Sequence, residues 1–323
     1  MNQRWYLFKK FTQSLITVFI VLVMNFFLFR IMPGDPLRIL IRNPRVSEAA
    51  LARVREQFGL DLPYPTQFLY FLRDLFQGDL GVSFNYRQPV LDVIMERVPA
   101  TLLLVGVATL LSIFLGVLIG VISAWKRGTR ADVVGLSVSL IFYAMPTFWF
   151  SILMVMFFSV YLRVFPTGGM GPPGAVYAGL WAEISAKGRY LFLPATTFGL
   201  ILAGEYALIM RNSLLEVLSE DYMTTARAKG VKSADLLKKH AIPNAMLPMV
   251  TLIAINLGFI IAGAIQVETV FSWPGLGRLM YSAMITRDYP LMQGLFLIIT
   301  VCVIGANFCA DILYGYLDPR VKS

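Results

Sequence analysis

Long apolar stretches alternate with shorter polar ones along this chain, and the alternation predicts six membrane-spanning helices. The first uncharged stretch covers residues 11–29, and the others lie within 98–125, 133–162, 190–210, 244–267 and 290–310. Each is long enough to cross a hydrocarbon core of about 30 Å at a rise of about 1.5 Å per residue. The pattern therefore predicts an all-α polytopic membrane protein, and the even number of spans places both termini on one side of the membrane.

The first apolar stretch also has features of a signal peptide, since Arg4, Lys9 and Lys10 precede it. It is long for the apolar region of such a peptide, and no cleavage motif of small residues precedes Pro33. We therefore expect an uncleaved first helix.

The composition agrees with a membrane protein. Of the 323 residues, 57% are hydrophobic and 15% are charged, whereas charged residues make up about 25% of a typical soluble protein. The net charge of +9 could indicate nucleic-acid binding, but its distribution favours topology. Eight of the nine lysines lie on the side predicted to be cytoplasmic, which is the positive-inside bias: Lys9, Lys10, Lys126, Lys229, Lys232, Lys238, Lys239 and Lys322. Both termini are therefore expected in the cytoplasm of a bacterial-type cell, with no nucleic-acid partner.

The spans and the polar segments divide the chain into four regions. Residues 1–32 form a tail and the first span, 33–97 a helical extracytoplasmic region, 98–314 a five-span core, and 315–323 a cytoplasmic tail. Within the second region we expect one helix over 48–58 and another that begins at Pro65 and ends before Gly78. The second helix has a wide apolar face. Either the region is a cap whose apolar helices lie on the membrane surface or at the mouth of the bundle, or it also docks a substrate-delivering protein.

A polar, basic segment at 211–244 interrupts the core. Asp221 is a plausible N-cap of a short helix that ends near Gly230, where glycine permits a left-handed turn. Ser233 would cap a second short helix, which Pro243 is expected to stop. The pattern alone fits either an ordinary basic cytoplasmic loop or a structured element built from two helices.

This segment resembles the EAA loop of ABC-importer permeases. Thr224, Thr225 and Ala226 stand at the small-residue triplet, Gly230 at the glycine, and Pro243 at the later proline. The sequence TTARAKG is similar to loops of the oligopeptide, dipeptide and nickel branch. The segments MPGDP (32–36), QGDLGVSF (77–84), the run 267–294 and the ending LDPR (317–320) also resemble that branch. The chain is thus identified over nearly its whole length as a first-permease (B-type) subunit.

The resemblance implies a type I ABC-importer transmembrane fold and a set of partners. These are a second homologous permease, two cytoplasmic ATPases, and an extracytoplasmic solute-binding protein. Peptides are the implied cargo; nickel or metal chelates, glutathione-like compounds and oligosaccharides are alternatives. In such permeases the loop inserts into the ATPases. Six residues are expected to contact the ATPases or to determine the geometry of that contact: Tyr222, Thr225, Ala226, Lys229, Gly230 and Pro243.

The chain lacks the common motifs of catalysis. It contains no GxxxxGK[ST] sequence for nucleotide phosphates, no HExxH and no GxSxG, and His240 is its one histidine. We expect a non-catalytic subunit that binds no cofactor or metal, with ATP and Mg²⁺ held by the ATPases. A stand-alone channel or secondary transporter would need a relay of intramembrane charges, and a non-transporting scaffold would need no ATPases.

Glu205 is the one carboxylate inside the predicted fourth span. A charge there is costly in lipid, so the side chain should face a cavity, a partner or water. It could recognise a substrate cation such as an α-amine, which makes it a possible substrate-cavity residue. It could equally form a structural hydrogen bond or stay protonated.

Three further features predict local geometry. Pro146 should kink the third span, either as a gate or for packing. Gly116 and Gly120 form a GxxxG pair that favours close helix packing. Trp273-Pro274-Gly275 should turn an outer hairpin, with the tryptophan at headgroup depth.

Overall fold

The computed structural model describes residues 3–31 and 62–317, and almost all of the regular structure in these residues is helical. The helices, in chain order, are α1 (Gln3–Ile31), α2 (Tyr64–Phe76), α3 (Val90–Trp125), α4 (Arg130–Ala144), α5 (Thr147–Met154), α6 (Leu180–Leu218), α7 (Asp221–Ala228), α8 (Ser233–Asp235), α9 (Ile242–Gly263), α10 (Ile265–Val270), α11 (Leu276–Thr286) and α12 (Tyr289–Leu317). Two π-helical segments, Val155–Tyr161 and Leu236–Ala241, continue α5 and α8.

The all-α membrane fold predicted from the sequence is confirmed. Within the described residues, α1, α3, α6 and α12 are each long and apolar enough to cross a membrane, and the bent pair of α4 with α5 and its π-helical extension makes a fifth candidate. The remaining predicted span corresponds to α9, which is 22 residues long. Several helices extend beyond the predicted apolar limits; α3, for example, begins at Val90.

The third predicted span is broken rather than kinked. Helix α4 ends at Ala144, Met145 is extended (φ −71°, ψ 136°), and α5 begins directly after Pro146. The two parts of the span meet at an angle of 105°. The physical reason is that a proline excludes the preceding residue from the helical region and supplies no N–H of its own.

Helix α6 is the centre of the bundle, and it packs against α3, α4 and α9. Glycines make the closest approaches possible. A Cβ on Gly116 would overlap Cβ of Tyr206, and a Cβ on Gly120 would lie 2.6 Å from Cβ of Met210. The predicted close packing at the GxxxG pair is therefore confirmed, and its partner is α6. Gly204 of α6 makes the same kind of contact with Ser139 of α4.

The second helix predicted in the extracytoplasmic region is confirmed as α2, which has a proline in its first turn. The rings of Phe68 and Phe71 lie 5.2 and 5.7 Å from the ring of the buried Phe26 on α1. Part of the apolar face of α2 thus packs against α1, while Leu69 and Phe76 remain exposed. The helix predicted at 48–58 lies outside the described residues.

Candidate coupling element and outer hairpin

The segment 219–243, which the sequence predicts to be a cytoplasmic coupling element and which keeps that name below, begins where α6 ends at Leu218. Helix α7 starts at Asp221, and its N-cap is Glu220, whose backbone is extended (φ −70°, ψ 148°). Asp221 is already helical and lies in the first turn, where its carboxylate interacts favourably with the helix dipole. The prediction of Asp221 as N-cap was wrong by one residue.

Gly230 forms the predicted corner after α7. Its φ is +76°, a conformation that residues with a side chain adopt at a cost. The N–H of Gly230 donates to the carbonyl of Arg227 (3.0 Å), and the N–H of Val231 donates to that of Ala226 (3.3 Å). A Cβ at Gly230 would meet no atom within 4 Å, so backbone conformation alone requires the glycine.

The second half of the element differs from the prediction. Lys232 rather than Ser233 is the N-cap of α8, and Pro243 does not stop the helix. The chain passes from α8 through the π-helical segment Leu236–Ala241 directly into α9, with Pro243 in the first turn of α9. The prediction was wrong because a proline is tolerated in the first turn of a helix, and the wider π turn before it relieves its clash with the preceding backbone.

Met223 anchors the coupling element to the membrane domain. It is the one fully buried side chain of α7, and it belongs to an apolar cluster that joins the ends of three spans to the π-helical segment. The spans contribute Ala124, Tyr206, Met210, Leu214, Ala245 and Met249, and the π-helical segment contributes Leu236 and Ala241. In addition, the hydroxyl of Ser213 on α6 donates to the carbonyl of Ala245 on α9 (2.9 Å). Helix α7 and the ends of α6 and α9 therefore share one packed apolar cluster.

The residues predicted to contact a partner do not all lie on one face. Tyr222 (42% exposed), Thr225 and Lys229 face solvent. Ala226 is half-buried and packs against the apolar cluster around Met223. Pro243 is exposed at the start of α9.

Glu205 is half-buried in α6, as expected of a residue that avoids lipid. Its neighbour Gly204 packs against α4, and its other neighbour, Tyr206, is buried against α3. The carboxylate thus lies at the level where three helices meet.

Arg211, six residues further along α6, has a partner that the sequence did not reveal. Its guanidinium binds both carboxylate oxygens of Asp132 on α4, at 2.7 Å from Nε to Oδ1 and 2.9 Å from Nη2 to Oδ2. The sequence predicted only that Arg211 lies at the inner boundary. The two residues are 79 positions apart, and no local pattern connects them.

Trp273 of the outer hairpin is fully buried, so its indole faces the protein interior and not the surface. Its indole Nε1–H donates to the carbonyl of Ala100 on α3, at 2.8 Å. An indole can be buried when its one donor is satisfied. The contact between this segment and α3 depends on tertiary packing.

Glu268 on α10 organises the outer hairpin. It is fully buried; one oxygen accepts a hydrogen bond from the Thr101 hydroxyl (2.7 Å) and the other from the N–H of Arg278 (3.0 Å). It thereby caps the N-terminus of α11. A Cβ on Gly275 would overlap this carboxylate, so the tight turn needs glycine there.

The environment of Glu268 has opposing effects on its ionisation. Burial raises the pKa of this carboxyl above its ordinary value, and hydrogen bonds from Thr101 and from the N–H groups of Gly277 and Arg278 oppose the rise. Burial has the larger effect.

Asp288 fastens the segment before α3 to the segment before α12. It is buried, and it accepts hydrogen bonds from the hydroxyl of Ser83 (2.5 Å) and the N–H groups of Asn85 (2.9 Å) and Phe84 (3.2 Å). Two buried carboxylates, Glu268 and Asp288, thus hold the outer side together. Neither was singled out from the sequence as a buried anchor.

A helical bundle with a broken span, a buried outer hairpin and a cytoplasmic element anchored to its inner ends defines a transmembrane permease subunit. The chain belongs to a family of such subunits, the binding-protein-dependent transport system inner membrane components. Residues 116–323 match this family, and residues 4–105 match the N-terminal region described for the membrane components of the same systems. The protein is therefore a multi-pass permease of the bacterial inner membrane.

Relatives resemble the chain over almost its full length. It is 38% identical to the di/tripeptide transport system permease protein DppB of Pseudomonas aeruginosa, over 95% of both chains. It is 35% identical to the dipeptide transport system permease protein DppB of Escherichia coli, over 94% of both chains. Among solved structures, the inward-facing MetNI methionine ABC transporter matches with a TM-score of 0.57 and 17% identity, over 71% of this chain and 97% of that one. The last match supports the type I importer fold.

Proposed function

We propose that this chain is the B-type permease of an ABC importer for di- and oligopeptides. It would line the translocation pathway together with a second, homologous permease. Two cytoplasmic ATPases and an extracytoplasmic solute-binding protein would complete the complex. The peptide cargo is supported by relatives whose names specify di/tripeptide and dipeptide transport.

The observation that carries this proposal is the construction of the coupling element. Its surface is polar and basic, with Lys229, Lys232, Lys238 and Lys239 exposed, while Met223 fixes it to the inner ends of the spans. A loop that served only to connect two spans would need no buried anchor. An element that is exposed on one side and anchored on the other can transmit force from a cytoplasmic partner.

The coupling element would dock into the ATPases through Tyr222, Thr225 and Lys229, with Ala226 at the edge of the contact. Gly230 would hold the angle between α7 and the following helical segment, and Pro243 would mark the start of α9. ATP-driven closure of the ATPases would then move the inner ends of α6 and α9 and expose the pathway to alternate sides of the membrane. ATP and Mg²⁺ would be bound by the ATPases and not by this chain.

Glu205 is proposed as a polar group of the pathway. Its carboxylate is half-buried within the bundle, and its negative charge is complementary to the α-amine of a peptide.

Reconstitution into proteoliposomes tests the proposed function. The complete complex should import peptide only with ATP, and vesicles that hold this chain alone should import none. A complex whose ATPases carry a substituted P-loop lysine is the matched control. Import of solute by this chain alone, at the rate of the complex, would contradict the proposal and favour a channel or secondary transporter.

Mass spectrometry of the ligand carried by the co-purified binding protein tests the cargo. Peptides are expected. A nickel chelate, a glutathione-like compound or an oligosaccharide would replace the peptide assignment and leave the role as permease intact.

A further inference from the structure

The geometry points to Asp132 and Arg211 as positioning residues that make the hairpin of α3 and α4 move together with the coupling element. This role rests on the proposed function. It extends the path of force beyond α6 and α9, to the span that is broken at Pro146.

The pair is built to fix orientation as well as distance. Two parallel contacts, Nε to Oδ1 at 2.7 Å and Nη2 to Oδ2 at 2.9 Å, join the planar guanidinium to the carboxylate. The side chains of Arg211 and Asp132 are only 19% and 6% exposed. Such two-point pairing is stronger and more directional than a single ion pair, and limited exposure reduces its screening by salt.

Asp132 also organises the turn between α3 and α4. Its Oδ2 accepts a hydrogen bond from the N–H of Gly128 at 3.0 Å. Gly128 has a φ of +77°, and Thr129 closes the same turn by donating to the carbonyl of Lys126 at 2.7 Å. One carboxylate thus connects the cytoplasmic turn, the first turn of α4, and α6.

Arg211 lies where α6 meets the coupling element. The preceding residue, Met210, is buried against Gly120 of α3, and Leu214 lies in the cluster that contains Met223 of α7. Helix α6 continues without interruption from Arg211 to Leu218. A shift of α7 that reaches α6 through Met223 therefore reaches Asp132 and α4 through Arg211.

The end of α4 that is far from Asp132 leads into the break of the span. Helix α4 ends at Ala144, and the chain turns by 105° into α5. Since α4 is a single helix between Asp132 and that break, movement imposed at its inner end reaches the bend. The ion pair would thus couple the cytoplasmic element to the broken span.

Two conservative variants test this role, Arg211→Lys and Asp132→Asn. The lysine keeps the charge but cannot form the two-point contact, and the asparagine keeps the shape but removes the charge. Glu183→Gln is the matched control, because Glu183 pairs with Lys187 at the outer end of the same helix. For each complex in proteoliposomes we would measure assembly, melting temperature, ATP hydrolysis, and peptide imported per ATP.

Both variants should assemble and hydrolyse ATP, while peptide imported per ATP falls by about fivefold or more, a typical size of coupling between sites. The control should keep the wild-type ratio. An unchanged ratio in both variants would overturn the coupling role, as would a loss of import that only parallels a lower melting temperature and reduced assembly. A wild-type complex that shows no ATP-dependent import would instead overturn the proposed function, and the coupling role with it.

Discussion

Single residues in the coupling element have distinct physical requirements, and Gly230 is the clearest case. Its positive φ is needed for the corner, whereas the space around it is open. Substitution there changes the angle of the backbone and not the packing. Met223 is the opposite case, because its side chain is fully buried and its packing is what fixes α7.

We predict that Gly230→Val leaves membrane insertion and assembly intact but abolishes most peptide uptake. A left-handed conformation costs a residue with a side chain about 1–2 kcal/mol, so the corner opens and the ATPase contact is misaligned. Uptake and ATP hydrolysis would be measured in the same proteoliposomes.

Gly174→Val is the matched control for this variant. Gly174 also has a positive φ (+69°) and open space around it, but it lies in the outer loop; its variant should transport normally. Gly230→Asn should retain partial uptake, since asparagine tolerates the left-handed region. Normal uptake by Gly230→Val would contradict the role of this corner in coupling.

Glu205→Gln separates a substrate-binding role from a structural one. The amide keeps the shape of the side chain and one acceptor oxygen, but it removes the charge and replaces the second oxygen by an NH2 donor. We expect uptake of peptides with a free α-amine to weaken by about tenfold, corresponding to about 1.4 kcal/mol, while uptake of N-acetylated peptides changes little. If the variant takes up both kinds of peptide with the kinetics of the wild type, Glu205 has a structural role and does not bind substrate.

At the scale of elements, glycine determines which helices can touch. Gly116 and Gly120 allow the backbone of α3 to approach α6, and Gly204 allows α6 to approach α4. Close van der Waals packing at small residues is one of the sources of helix association in a membrane.

We predict that Gly116→Ala lowers the stability of the purified chain by about 1–3 kcal/mol, the usual cost of overpacking. The new methyl group would overlap Cβ of Tyr206, and both positions are fixed by helical backbone. Gly106→Ala is the control in the same helix, because a Cβ there meets nothing within 4 Å. Melting temperatures in detergent would compare the two variants, and equal values would contradict the importance of this contact.

Two prolines show how much of an element the sequence predicts. Pro146 and Pro243 were both expected to disturb a helix. Pro146 breaks its span, while Pro243 lies in the first turn of α9 behind a π-helical segment. The backbone before the two prolines differs: Met145 is extended before Pro146, whereas a π-helical segment, with Leu236 and Ala241 buried in the cluster around Met223, leads to Pro243.

At the scale of the whole molecule, polar contacts fasten the bundle on both sides of the membrane. On the outer side, Glu268 and Asp288 are buried and hold α11 and the segment before α3. On the inner side, Asp132 and Arg211 hold α4 to α6.

Much of this architecture could be predicted from local pattern. Apolar length predicts the spans, the lysine distribution predicts their orientation, and the glycine at position 230 predicts the corner. These properties depend on the transfer of each segment from water to lipid and on the backbone of single residues. Neighbours in sequence suffice to determine them.

Only the tertiary structure determines which distant residues contact each other. Trp273 donates to Ala100, Glu268 pairs with Thr101, and Arg211 pairs with Asp132; in each case the partners are distant in sequence. A tryptophan or a carboxylate near a membrane surface can be satisfied by water, headgroups or another helix, and these possibilities have the same local pattern. Only the packing of the helices determines which of them occurs.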